Sequence, residues 1–149
     1  MKNITIYTDG SCLNNGFNKD APSPGGWAAL LKYKNHIKEI SGPIEDTTNN
    51  RAELLSVINA LKIIKEPCNI TIITDSLLIV KTMTENWKKN KNTDLWNELD
   101  NIINNINSII TWQWIKGHNN DYYNERVNSI AQIESMKLSA GIAKKLIGE

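Results

Sequence analysis

Three acids in this chain stand where a cation could be held: Asp9, Glu53 and Asp75. Two of them share a local setting. Ile4-Thr5-Ile6-Tyr7-Thr8-Asp9-Gly10-Ser11 alternates apolar and polar residues and breaks at Gly10, and Ile70-Thr71-Ile72-Ile73-Thr74-Asp75-Ser76 has the same shape. Both read as β-strands that end in an aspartate. Open α/β sheets place their ligands at that end. If the strands are parallel neighbours, two carboxylates meet and repel strongly unless protonated or bridged by a cation. A hard divalent metal is the simplest bridge. Taken singly, each aspartate could be a turn former and Glu53 could complement a helix dipole. Three acids at topologically adjacent points are harder to explain without a ligand.

The elements that position these acids follow from the pattern. Cys12 to Gly26 is a loop rich in Asn, Gly and Pro. Strands over Trp27–Tyr33 and His36–Ser41 come next, joined closely enough to be antiparallel, with Gly42-Pro43 as the stop. Thr47 and Thr48 offer capping hydroxyls to a helix over 49–64, in which Ala52, Leu55, Ile58 and Ile63 recur at helical spacing, joined by Leu54 and Leu61. Pro67 closes it. A strand–helix–strand passage takes a right-handed crossover, so the Asp75 strand is parallel to the first. Ser76 caps a helix from Leu77 to about Glu85, and Trp87-Lys88-Lys89-Asn90-Lys91 is a basic connector. Asp94 opens a helix to about Asn105, with Leu95, Leu99, Ile102 and Ile106 inward. Ile109–Ile115 is the last strand, Gly117-His118-Asn119-Asn120 a loop, and Tyr122 to about Ser135 the final helix. The expected architecture is α/β: a mixed five-stranded sheet, three antiparallel strands and then two parallel ones, with helices packed on it. One domain is expected over 1–149, with its core at about 3–133 and a short C-terminal extension.

The length of 149 residues suffices for a core without staples. Seventeen basic and sixteen acidic residues nearly cancel, so any nucleic-acid surface must be a local patch. Cys12 and Cys68 are too few for a disulfide scaffold and fit a reduced, cytoplasmic setting. Met1 leads directly into the first strand with no signal peptide, and no apolar run is long enough to span a bilayer.

Five segments then occur in a recognisable order: Tyr7-Thr8-Asp9-Gly10-Ser11, Thr47-Thr48-Asn49-Asn50-Arg51-Ala52-Glu53-Leu54, Thr74-Asp75-Ser76, Asn92-Thr93-Asp94-Leu95-Trp96 and Trp114-Ile115-Lys116-Gly117-His118. Together they resemble the type 1 ribonuclease H family over nearly all of residues 3 to 131. One such motif would be weak; five in order are specific. The resemblance implies a ribonuclease H-like fold and an endonuclease that hydrolyses the RNA strand of an RNA–DNA hybrid, leaving 5′-phosphate and 3′-hydroxyl ends. It also implies two magnesium or manganese ions, about 3.5–4 Å apart, that clamp the scissile phosphate. By resemblance Asp9 bridges both ions, and Glu53 and Asp75 hold the one near the leaving oxygen. The fourth position departs from the family's Asn-Glu-Arg-x-Asp pattern: the chain reads Asn124-Glu125-Arg126-Val127-Asn128. Asn128 would help hold the ion that orients the attacking water, through an amide oxygen without the charge. A natural variant and a deliberate inactivation would both put Asn there. His118 resembles the family's mobile-loop histidine, which assists proton transfer or product departure.

Hybrids are read by shape, phosphates and 2′-hydroxyls rather than base edges. Asn14, Asn15 and Asn50 are the candidates for minor-groove contact. Thr48 and Asn92 match a pocket for a DNA-strand phosphate, weakened by Asp46 where some members carry a basic residue. Trp87, Lys88 and Lys89 resemble a shortened basic protrusion, while Lys91 reads better as part of a solvated turn. Trp96, Trp112 and Trp114 are expected in the core, and His36 in an ordinary strand position. A monomer with no obligatory protein partner and no membrane contact is expected. Two other readings stay open. One is a DDE-type transposase or integrase core, against which the Asn-Asn-Arg-x-Glu segment and the Gly-His loop argue. The other is a hybrid-binding module whose catalysis Asn128 has weakened or abolished.

Overall fold

The computed structural model describes residues 1–13 and 23–146, with side chains as far as Lys137. In chain order the elements are β1 (Lys2–Cys12), β2 (Gly25–Tyr33), β3 (His36–Ile44), α1 (Asn49–Lys62), β4 (Cys68–Thr74), α2 (Leu77–Glu85), α3 (Thr93–Ile106), β5 (Ile109–Trp114) and α4 (Tyr122–Leu146). They form one five-stranded sheet in the order β3-β2-β1-β4-β5. The β1–β2 and β2–β3 pairs are antiparallel, and the β1–β4 and β4–β5 pairs parallel. The β1–β4 ladder ends at the Thr8–Thr74 pair, so Asp9, still inside β1, and Asp75, just past the end of β4, stand side by side one residue beyond it.

Alternation along the strands divides the apolar residues between two faces. Ile6, Ile70 and Ile72 pack with Leu54, Val57, Ile58 and Leu61 of α1 and with Leu99 of α3, none of them more than 1% exposed. Ala28 and Leu30 of β2 meet Val127 and Ala131 of α4 in a second, smaller cluster. Both faces are therefore covered, and β1 sits between the layers. The helix starts follow their caps: the Thr48 hydroxyl accepts from Arg51 N–H at 3.3 Å, and the Ser76 hydroxyl from Ile79 N–H at 3.3 Å. Among the described residues, no helix is long and apolar enough to cross a membrane.

Five expectations need correction. β1 does not break at Gly10 but runs on to Cys12, because β2 pairs with it as far as Gly25; only its pairing with β4 stops at Thr8. β3 does not stop at Gly42-Pro43 but pairs through both, Gly42 with Trp27 and Pro43 with Gly26. It is an edge strand, where a missing N–H breaks no ladder. Gly42 also has a packing reason, since a Cβ there would come within 2.7 Å of the Trp27 indole nitrogen. α1 ends at Lys62, two residues early, and Ile63 N–H turns back to the Ala60 carbonyl at 3.4 Å. α4 continues past Ser135 to Leu146. Of the three tryptophans expected inside, Trp96 is buried and Trp112 packs against the core, but Trp114 is 45% exposed.

The closest approach in the fold lies under the acids. A Cβ on Gly10 would overlap the backbone of Ala52 and Glu53, so only glycine lets the start of α1 rest on β1. Gly10→Ala is expected to lower the free energy of unfolding by about 1–3 kcal/mol through overpacking. Urea unfolding checks this; an unchanged midpoint would mean that α1 does not depend on the approach.

Candidate active site

β1 delivers Asp9, β4 delivers Asp75, and the first turns of α1 deliver Glu53 across from Gly10. Carboxylate oxygens of the three lie within 4.8 Å of one another. Asp9 is 2% exposed and is gripped from both sides: Gly10 N–H donates to its Oδ1 at 2.9 Å, and the Asn128 amide of α4 donates to its Oδ2 at 2.8 Å. Glu53 Oε2 is buried with no hydrogen-bond partner. Around the acids opens a cleft of about 420 Å³, lined also by Asn49, Asn50, Ser76, Leu77 and Leu78.

All three carboxyls are held above their ordinary range. Burial pushes Asp9 up, against the opposing pull of its hydrogen bonds. Burial and then the charge of Asp9 push Glu53 well up. Asp75 rises to about 6, again by burial first and the Asp9 charge second. Three desolvated acids, two of them raised further by the charge of Asp9 and one with an orphaned oxygen, fit a hard divalent cation. A cation would satisfy the orphan and replace repulsion by attraction. Asn128 presents its N–H to Asp9; the same side chain carries a carbonyl oxygen that could face a cation after the amide turns.

The structure thus brings Asp9, Glu53, Asp75 and Asn128 together. His118 stands at an exposed loop with φ 56°, its Nδ1 3.7 Å from Glu125 Oε1. When protonated it would lower both Asp9 and Asp75. Thr48 and Asn92 share one corner through Arg51, which donates from its backbone to Thr48 and from Nη1 to Asn92 Oδ1 at 3.3 Å. Arg51 also makes a paired bond to Asp94, at 2.9 and 2.8 Å. Arg51 is the organiser of this corner. Nothing local in the sequence marks it for that part beyond its place inside the Asn-Asn-Arg-x-Glu segment. Asp46 accepts from Ser23 N–H at 3.1 Å and so fastens a loop. On the α2–α3 connector, Trp87 is 47% exposed and Lys88 is exposed, whereas Lys89 is paired with Asp100 at 2.8 Å and lies over the Trp96 ring. None of these three lines the cleft, but Asn50 does. Asn14 and Asn15 lie outside the described residues.

A sheet of this order, with acids from two parallel neighbours and a helix start beside them, frames a site suited to a hard divalent cation. The RNase H family model matches residues 1–135. The chain is 47% identical over 118 residues to a ribonuclease H of Acetivibrio thermocellus, covering 70% of this chain and 76% of that one. It is 49% identical over 106 residues to the ribonuclease HI of Campylobacter jejuni, covering 66% and 68% respectively. Among solved structures, LC9-RNase H1, a type 1 RNase H with the type 2 active-site motif, aligns with a TM-score of 0.79 at 28% identity, over 93% of this chain and 74% of that one. LC11-RNase H1 in complex with an RNA/DNA hybrid shares the fold, with a TM-score of 0.73 at 24% identity over 90% and 97%. The chain belongs to the ribonuclease H family. That places it among the hydrolytic nucleases, which decides against the transposase reading.

A pH dependence follows from the raised carboxyls. In the unfolded chain Asp75 titrates near its ordinary 3.8, in the fold at about 6, so between these values the native state binds more protons. Stability therefore falls as pH rises through that window. Thermal unfolding in EDTA is expected to show a midpoint dropping from pH 4 to pH 7, less steeply in Asp75→Asn. A rising midpoint in the same buffer would contradict the burial of Asp75 beside the charge of Asp9.

Proposed function

We propose that this chain cleaves hybrids with two magnesium ions held by Asp9, Glu53, Asp75 and Asn128. The observation that carries the reading is the gathering of three desolvated carboxylates within 4.8 Å, Glu53 Oε2 among them without a partner. When bound, the ions supply positive charge to the attacking and leaving oxygens of an in-line displacement. Asp9, central and oriented from two sides, would be shared by the two ions; Glu53 and Asp75 would hold positive charge at the leaving-group side, and Asn128 at the side of the nucleophile. His118, on its exposed loop, carries a proton to or from the site and helps product leave. A type 1 fold bearing another active-site motif occurs in LC9-RNase H1, which supports reading Asn128 as a variant ligand rather than damage.

Recognition rests on few contacts. Asn50 in the cleft wall, with Asn14 and Asn15, meets the minor groove, and the Thr48–Asn92 corner receives a phosphate of the DNA strand. Trp87, Lys88 and Lys89 add a weak basic contact, for which Lys89 must leave Asp100. The reduced thiols support a cytoplasmic setting, and we take the working form to be a monomer. The second reading, a hybrid-binding module with little catalysis, is favoured by one observation, the Asn128 amide turned toward Asp9.

Asp9→Asn is expected to abolish cleavage of a labelled hybrid while the far-ultraviolet circular dichroism stays that of the wild type. Full activity across a magnesium titration would remove the assignment. Asn128→Asp is expected to lower the metal concentration for half-maximal rate by about tenfold, since it restores one ligand charge. Manganese should serve the Asn form better than magnesium, because it tolerates poorer donors. Superimposable metal curves for the two forms would show that Asn128 is no ligand, and absence of cutting in either metal would establish the binding module. Lys88→Ala with Lys89→Ala should raise KM more than it lowers kcat, with a smaller salt dependence.

A further inference from the structure

Asp9 and Glu53 are oriented by their surroundings, the first by two hydrogen bonds to its carboxylate and the second by its place inside α1. Asp75 is different. Among the described residues no other side chain donates to its carboxylate, and its peptide lies at a junction, between the last residue of β4 and the Ser76 cap of α2. Free rotation there would scatter a cation ligand.

Three contacts from the neighbouring edge strand and its exit restrain that junction. Ile115 N–H donates to the Thr74 carbonyl at 3.0 Å. The indole Nε1–H of Trp114 donates to the Asp75 carbonyl at 3.2 Å. Gly117 packs beside the carboxylate itself, where a Cβ would come 3.0 Å from Oδ2. The β4–β5 ladder ends at the Thr74–Trp114 pair, and the indole carries the contact one residue further. Burial does not account for this tryptophan. It shares a strand face with Ile110 and Trp112, which pack against the core, yet it is 45% exposed.

We infer that Trp114 is a positioning residue for the metal site: its indole N–H fixes the Asp75 peptide and thereby sets where the Asp75 carboxylate stands. The inference rests on the reading of Asp75 as a metal ligand. An anchored peptide lowers the ordering that a cation must impose, and partners behind the ligands of metal sites commonly act in this way. The segment Trp114–Gly117 leads into the His118 loop, so the anchor of that loop and the orientation of Asp75 share one tether.

Trp114→Phe keeps a ring and removes the donor; Gly117→Ala presses on Oδ2 without touching the indole; Asp75→Asn reports the ligand itself. Manganese binding to each substrate-free protein is measured by calorimetry at fixed pH, together with unfolding in EDTA and hybrid cleavage. Trp114→Phe is expected to weaken manganese binding by about three- to tenfold, the scale of one lost hydrogen bond behind a ligand. Its kcat should return to near wild type at saturating metal, with KM for hybrid and the EDTA midpoint unchanged. Gly117→Ala should weaken metal binding likewise. If Trp114→Phe binds manganese as the wild type does while Asp75→Asn binds it poorly, the positioning role is overturned and the ligand reading stands. If Asp75→Asn also binds normally, both fall. If Trp114→Phe loses metal binding only together with a drop of more than ~5 °C in the EDTA midpoint, the indole serves folding and the inference is wrong.

Discussion

Like charge in a desolvated corner is the constraint on which this structure turns. Three carboxylates with oxygens inside 4.8 Å would drift apart or take up protons if the backbone let them. The fold does not let them. Asp9 and Asp75 project from strands in direct parallel register, and Glu53 from a helix whose first turns are pressed against Gly10. Burial pushes all three acids up, and the charge of Asp9 pushes Glu53 and Asp75 further. The same energy returns as affinity when a divalent cation enters, because the fold has already met the cost of assembling its ligands.

Holding the acids takes packing on both faces of the sheet. On one face, Leu54, Val57, Ile58 and Leu61 seat α1 against Ile6, Ile70 and Ile72, which locks the register of Glu53. On the other, Val127 and Ala131 seat α4 against Ala28 and Leu30, and this places Asn128 over Asp9. Gly26 permits that approach, since a Cβ there would run into the Ala131 carbonyl. A salt bridge at the rim of the same interface, Arg126 Nε to Glu39 Oε2 at 2.7 Å, ties α4 to the edge strand, but both partners are well solvated and its contribution is small.

The sequence made the sheet order, the crossover and the acidic triad legible because period-two alternation, capping hydroxyls and aspartates at strand ends are local signals. Boundaries were read less well where the deciding interaction was tertiary. Gly42-Pro43 looks like a stop until one knows that β3 is an edge strand and that the Trp27 indole lies over Gly42. Trp114 looks like core by its strand phase, yet the core ends before it and its nitrogen finds the Asp75 carbonyl instead. Lys89 looks like part of a basic patch until Asp100, eleven residues on, is seen to neutralise it. Arg51 carries no local sign of its role because its partners Asn92 and Asp94 lie 41 and 43 residues away. Each miss is a long-range pairing of a side chain whose local pattern suggested something plainer.

Asn128 shows how one residue shifts the balance between the two states of such a site. A carboxylate there would be a fourth like charge beside Asp9, raising the strain of the cation-free form and adding attraction once cations arrive. The amide does the opposite on both counts. It donates to Asp9 Oδ2 at 2.8 Å, so it relieves repulsion where an acid would add to it. To serve a cation it must give up that bond and turn its oxygen inward, and it brings no charge when it does. A weaker metal site and a more settled cation-free fold are therefore two faces of one substitution. Burial of Asp9 enlarges both effects, because the surrounding water that could screen them is largely excluded.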